Sequence, residues 1–300
     1  VVFYAGEMLR ELLREPPSAA DNQNPIRLFA GSGLRRDAWK QVVDRFGPVG
    51  ILEFYASTEG NAVLANASGE KEGALGRPLP GSAEVTLGRY DFDRGQFERD
   101  ADGLVLRPEI GESGVLLARL DTNHPVAGFA SGDEAGSRLL RGVSDPDDTW
   151  FVTWDVLRQD EDGDFWFVDR VSRMLRTPTG RVSTRSVEDA LYGWPLLRQA
   201  VVIGVPRGSA EAPAAIVATR GDRPMSLAAW NGFAEALSPD HKPTWIQRVD
   251  RIPMTQGFRP DKAALEAASA SSEAETFVYD EGTDRYVART GSPSVVAPGS

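Results

Sequence analysis

The sequence has no cysteine among its 300 residues, which excludes a disulfide framework, a thiolate nucleophile and a cysteine-built zinc site. Histidine is almost as scarce. His124 and His241 each stand near loop prolines and lack ligand spacing, which argues against a histidine metal centre or a Ser-His-Asp hydrolase. No apolar run approaches the ~18 residues that cross a bilayer, and the first residues do not read as a basic-then-apolar leader; membrane contact is expected to be peripheral at most. Positive charge is in deficit: 33 Lys and Arg face 44 Asp and Glu, for a net −11. Nucleic acid is therefore not an expected partner, because phosphate binding needs clustered cations. Lack of cysteine fits a reducing compartment, and a cytoplasmic location is expected.

The apolar share of 41% and the charged share of 26% are those of a globular chain, and the length suggests about two domains. Met8, Leu9, Leu12 and Leu13 fall at helical spacing over Glu7 to Arg14, and Pro16-Pro17 stops that helix. Ile26 to Ala30 reads as a strand, Asp37 to Phe46 as an amphipathic helix, and Val49 to Tyr55 as a second strand. From about Ala65 to Val168 short β-like runs alternate with Gly, Asp and Pro, the texture of a small distorted barrel or sheet. Asp160-Glu161-Asp162-Gly163 reads as a solvated hairpin turn. Beyond Val171 the pattern mixes helix and strand: Ser186 to Leu191 and Ser226 to Leu237 as helices, the second capped by Ser226; Val201 to Val205, Ala214 to Thr219 and Ile246 to Val249 as strands; Lys262 to Ala270 as a last helix. After Ser269 the chain turns acidic and rich in small residues, and Gly291 to Ser300 is expected to be a frayed tail.

Chemistry concentrates in Phe54-Tyr55-Ala56-Ser57-Thr58-Glu59-Gly60-Asn61. It is a strand ending in a polar turn, at the carboxyl end where open α/β sheets place ligands. An aromatic face suits adenine, a hydroxyl a phosphate oxygen, and a carboxylate Mg²⁺. Taken alone, Thr-Glu-Gly at a strand end is more often ordinary turn chemistry.

The wider pattern resembles the adenylate-forming acyl-CoA synthetases, in their fatty acid transport protein or very-long-chain acyl-CoA synthetase branch. Tyr55 to Asn61 is similar to that family's Tyr-Gly-x-Thr-Glu-Gly-Asn signature, with Ala56 in place of Gly. Gly31-Ser32-Gly33-Leu34-Arg35 and Gly73-Ala74-Leu75-Gly76-Arg77-Pro78 resemble elements on either side of it. Trp150 to Arg158 resembles the Thr-Gly-Asp segment, and Phe167-Val168-Asp169-Arg170 with Val182 to Glu188 the ends of the hinge region. The likeness runs from about Val2 to about Val287.

The resemblance implies an α/β fold class: the end of an α/β nucleotide-binding subdomain (1–65), a β-rich subdomain (66–170) and an α+β C-terminal lid (171–288), followed by a tail (289–300). It implies a ligase that activates a long-chain carboxylic acid as acyl-AMP and passes it to coenzyme A, with ATP or AMP and Mg²⁺ as cofactors. Gly31, Ser32 and Gly33 would line adenine and Tyr55 would stack on it. Thr58 would reach the α-phosphate, Glu59 would hold Mg²⁺, and Asp155 would grip the ribose diol with Arg170 beside it. Arg259 occupies the place of an adenylation Lys, with Lys262 one turn further on.

Other departures accompany Arg259. The family's Ser/Thr/Gly-rich phosphate loop, which would precede Tyr55, has no counterpart in these residues. The expectation is the C-terminal half of a synthetase, inactive by itself, with a degenerate nucleotide- or protein-binding relative as the alternative. Trp154 replaces a Gly directly before Asp155, so its indole either stands over the ribose or packs outward on the barrel. Ser172 falls at the hinge position, and Pro178 stiffens a loop that swings in the family.

Overall fold

The computed structural model describes residues 1–57, 62–125, 138–221, 224–261, 264–265 and 275–289. The chain divides into two compact units, Val1–Val171 and Ser172–Ser300.

The first unit opens with β1 (Val2–Ala5), α1 (Gly6–Arg14), β2 (Leu28–Ser32), α2 (Arg36–Phe46), β3 (Gly50–Ser57), β4 (Ala62–Asn66) and β5 (Arg77–Pro78). α1 ends where Glu15 turns to extended backbone, as a residue before proline must. Trp39, Val42 and Phe46 recur at helical spacing and are buried against Leu9, Phe29 and Ile51. The strands form one sheet in chain order; β1, β2 and β3 run parallel, and β4 and β5 antiparallel. The carboxyl ends of β2 and β3 therefore point the same way, bringing Gly31 to Gly33 and Tyr55 to one end of the sheet.

The rest of this unit is β6 (Val85–Gly88), β7 (Tyr90–Asp91), β8 (Gln96–Phe97), β9 (Ser113–Arg119), β10 (Leu139–Arg141), β11 (Thr149–Gln159) and β12 (Phe165–Arg170). β11 lies between β9 and both β10 and β12, all antiparallel. One buried cluster, with Leu64 of β4, Leu116 of β9, Phe151 and Leu157 of β11 and Phe165 of β12, fuses this sheet to the first. Gly103 to Leu106, within the stretch expected to hold short β-like runs, forms no named strand: Val105 bridges Arg99, and Leu106 bonds the backbone of Arg89 and Glu98.

The second unit holds β13 (Met174–Thr177), β14 (Gly180–Ser183), α3 (Thr184–Leu191), β15 (Leu197–Arg207), β16 (Ala210–Thr219), α4 (Leu227–Ala234), β17 (Trp245–Arg248), β18 (Thr276–Asp280) and β19 (Arg285–Arg289). Ser226 caps α4 by accepting from the Ala229 N–H, and Ser183 caps α3 from Ser186. The β18–β19 hairpin, which sequence reading left as an acidic stretch running into a tail, extends the β15–β16–β17 sheet. Its Phe277 and Tyr286 enter the core with Trp194 and Trp230. The fold class is thus α/β with a β-rich middle and an α+β C-terminal unit.

Candidate nucleotide site

The loop after β2 is held by a residue that sequence reading passed over. Glu53, on β3, is a carboxylate at 1% exposure. It accepts from the backbone N–H of Gly33 and of Leu34, the latter at 3.2 Å, and from the Tyr4 hydroxyl. Burial pushes the Tyr4 phenol far above its ordinary pKa, and the Glu53 charge adds to this, so Tyr4 remains a donor. Two glycines permit the close packing. A Cβ on Gly31 would lie 2.1 Å from the Tyr4 carbonyl oxygen, and one on Gly6 1.9 Å from that of Gly33. Gly31 is therefore required by its neighbouring strand, while Ser32 and Gly33 stand exposed at the sheet's end.

Tyr55, two residues after Glu53, donates its hydroxyl to Asp155 Oδ2 at 2.7 Å. Asp155 is 8% exposed, and its Oδ1 lies 3.2 Å from Arg170 Nε. The last contact follows from register, since Asp155 and Arg170 face each other across β11 and β12. Burial raises the Tyr55 phenol well above its ordinary pKa, and the Asp155 charge raises it further. It therefore stays protonated and keeps donating. The structure thus gathers Tyr55, Asp155 and Arg170 into one cluster of phenol, carboxylate and guanidinium, while Gly31, Ser32 and Gly33 end the neighbouring parallel strand.

A second cluster corrects the sequence reading. The turn around Asp160 and Asp162 is no loose solvated loop. Lys71 Nζ lies 2.8 Å from Asp160, 2.6 Å from Asp162 and 2.8 Å from Asp164. Burial alone would raise the Asp160 pKa, but Lys71, the Trp166 indole N–H and the Asp164 N–H together hold it down at about 2. Beside this clamp, Leu75 and Phe165 are joined by the backbone bonds Leu75 N–H to Phe165 O and Phe165 N–H to Gly76 O, each 2.8 Å. The Gly73 to Pro78 segment is thereby fastened to the β11–β12 hairpin.

No protein-family model matches the chain. Individual proteins do. Human long-chain fatty acid transport protein 3 is 33% identical over 272 residues, which is 88% of this chain and 40% of that protein. The medium/long-chain-fatty-acid–CoA ligase FadD6 of Mycobacterium tuberculosis is 30% identical over 293 residues, 95% of this chain and 48% of the ligase. The chain belongs to the fatty acid transport protein branch of the adenylate-forming acyl-CoA synthetases. It spans about half the length of the curated relatives it matches. Among solved structures, the amide bond synthetase McbA from Marinactinospora thermotolerans superposes with a TM-score of 0.65 at 26% identity, covering 89% of this chain and 52% of that one. The anthranilate CoA ligase AuaEII, solved with anthranoyl-AMP, shares the fold with a TM-score of 0.68 at 22% identity, covering 89% and 49%.

The remaining candidates are scattered. Thr58 and Glu59, the phosphate and Mg²⁺ candidates, lie outside the described residues, as do Gly60, Asn61 and Lys262. Arg259 is exposed on a tight turn, where the Thr255 N–H donates to the Arg259 carbonyl at 2.7 Å. Pro178 and Thr179 form the turn of the β13–β14 hairpin, in which Thr177 pairs with Gly180. Ser172 opens the second unit. Among the described residues no group of three or more His, Cys, Asp or Glu is arranged to hold a metal ion, and no helix is long and apolar enough to cross a membrane.

Proposed function

We propose that this chain supplies the nucleoside end of an AMP-forming fatty-acyl-CoA synthetase, which activates a long-chain carboxylic acid as acyl-AMP and transfers it to coenzyme A. The observation that carries the reading is the joining of Tyr55, Asp155 and Arg170. A carboxylate is a two-oxygen acceptor suited to a vicinal diol. Asp155 presents one such group, aimed by Tyr55, with Arg170 as its second partner. The Arg170 side chain is 58% exposed, so its hold on Oδ1 is weak and exchangeable with a sugar hydroxyl. Ser32 and Gly33 supply the adenine side, and the Tyr55 ring a stacking face.

Thr58 would meet the α-phosphate, and Glu59 would hold Mg²⁺, which offsets phosphate charge when bound. Arg259, a permanent forked cation in place of a Lys point charge, would assist adenylation. Ser172, at the junction of the two units, is the position at which a lid would turn between half-reactions.

The exposed Arg259 and the tight hairpin at Pro178 favour a second reading, a non-catalytic relative that keeps nucleoside binding. Calorimetry with AMP, ATP and adenosine tests the nucleoside binding that both readings share: AMP binds, and Asp155→Ala abolishes it. Binding that ignores Asp155→Ala overturns the assignment. Acid-dependent ATP–pyrophosphate exchange by this chain would overturn the non-catalytic reading and the expectation that these residues alone are inactive.

A further inference from the structure

Trp154 occupies backbone that a large side chain rarely takes. Its φ is +61°, the left-handed region that costs every residue with a Cβ. The strand is irregular at this point. β11 pairs with β9 at Val152↔Leu117 and again at Val156↔Val115, so Thr153, Trp154 and Asp155 face Leu116 alone. The Thr153 hydroxyl fills the break in the ladder. It donates to the Leu116 carbonyl at 2.9 Å and accepts from the Asp155 N–H at 3.1 Å.

The indole goes to the β7–β8 hairpin. It stacks on Phe97 with centroids 6.3 Å apart and planes at 29°, and meets Tyr90 edge-on at 5.7 Å and 79°. Tyr90 in turn packs edge-on against Phe97 and Phe92. These offset and edge-to-face arrangements are the favourable ones for aromatic rings. The left-handed residue is therefore the one whose side chain is gripped from outside the strand.

A bulge decides which face the next residue presents, because strand side chains alternate. Asp155 is that next residue. We propose that Trp154 is a positioning residue: its indole, bracketed by Tyr90 and Phe97, holds the β11 bulge in the left-handed form that aims the Asp155 carboxylate at Tyr55 and Arg170. Its bearing on binding rests on the nucleoside reading above; its bearing on Asp155 does not. Where the family pattern has a glycine that takes this backbone without cost, this chain holds it from the side chain outward.

The test compares Trp154→Phe, Trp154→Gly and Trp154→Ala in the whole chain by two readouts. The first needs no ligand: the ring-carbon NMR resonance of Tyr55, assigned with Tyr55→Phe. In the native chain, at neutral pH, it should carry the displacement of a phenol that donates to a carboxylate, and Asp155→Asn gives its position when that charged partner is lost. Trp154→Phe should keep the native position. Trp154→Gly and Trp154→Ala should move the Tyr55 resonance toward the Asp155→Asn position, while the circular dichroism spectrum of Trp154→Gly stays native. The second readout is AMP affinity, which should fall roughly fivefold in Trp154→Gly, the scale of one ordinary hydrogen bond, and stay within about twofold in Trp154→Phe.

A Tyr55 resonance unchanged in both small variants overturns the proposal. So does tighter AMP binding by Trp154→Gly, which would show that the indole obstructs the site. If no variant binds AMP but Tyr55 responds as described, the nucleoside reading fails and the positioning role stands. Should Trp154→Gly not fold, Phe97→Leu removes the stacking partner without touching β11. It must shift Tyr55 in the same sense, and no shift overturns the proposal.

Discussion

Tyr55 and Asp155 are a hundred residues apart in the chain and share a 2.7 Å hydrogen bond. The phenol is half-buried and held un-ionised, and the carboxylate is buried beside it. The bond thus ties β3 of the first sheet to β11 of the second, and each partner fixes the other's direction.

Removing either partner should therefore cost more than the contact alone. Tyr55→Phe leaves a buried carboxylate short of a donor and should destabilise the first unit by about 1.5 to 3 kcal/mol. Tyr55→Phe combined with Asp155→Asn should cost less than the sum of the singles, with a coupling of about 1 kcal/mol, because the two residues share the interaction. Urea denaturation of the four proteins checks this. Strict additivity would show that the bond contributes nothing.

Glu53→Ala should be among the most damaging single changes in the first unit. It strands the N–H groups of Gly33 and Leu34 and the Tyr4 hydroxyl in a site at 1% exposure. Three unsatisfied donors and a void put the loss at about 3 kcal/mol or more. Glu53→Gln, which keeps an acceptor oxygen, should lose less. A Glu53→Ala protein with native melting temperature would contradict the arrangement.

The Lys71 clamp gives a pH dependence of definite sign. Asp160 has its pKa depressed to about 2, against about 3.9 for the unfolded chain. Its stabilisation is therefore present above pH ~4 and fades as pH falls toward ~2. Lys71→Met should lower the melting temperature by about a few degrees at most near neutrality, since the Asp162 end of the cluster is open to water. The gap to the native protein should close across that acid window. A gap that persists at pH ~2 would mean the loss is one of packing.

In the second unit, Tyr286 is 2% exposed, packs on Trp230 and donates its hydroxyl to the Pro243 carbonyl at 2.7 Å. Tyr286→Phe should cost about 1 kcal/mol and Tyr286→Ala about 3 to 5 kcal/mol. Chemical denaturation followed by tryptophan emission reports both, because Trp194 and Trp230 lie in the same core. Equal effects of the two variants would place the hydroxyl, and not the ring, in charge.

Much of this was legible in the sequence where spacing or motif order is local. Leu9 and the Trp39, Val42 and Phe46 series marked two helices, and Ser226 marked the start of a third. The order of Tyr55, Asp155 and Arg170 named the three side chains that the structure gathers. Long-range pairings were not legible. Glu53 left one trace, a lone acid between Leu52 and Phe54 in an apolar strand, but its partners are two backbone groups about twenty residues away and the more distant Tyr4 hydroxyl. The Lys71 clamp spans ninety residues, and composition gives an aspartate-rich turn no visible partner. β18 and β19 do alternate, with Phe277 and Tyr286 inward, yet their acidic flanks hid the pattern.

Glu53 and Tyr55 sit two residues apart on β3 and so project from the same side of the sheet. One grips the Gly33 loop and the other grips Asp155. The strand therefore works as a single ruler with two marks. A slip of one residue would carry both marks to the opposite face together, so a register error removes the grip on the Gly33 loop and the grip on Asp155 as a pair, never one relative to the other.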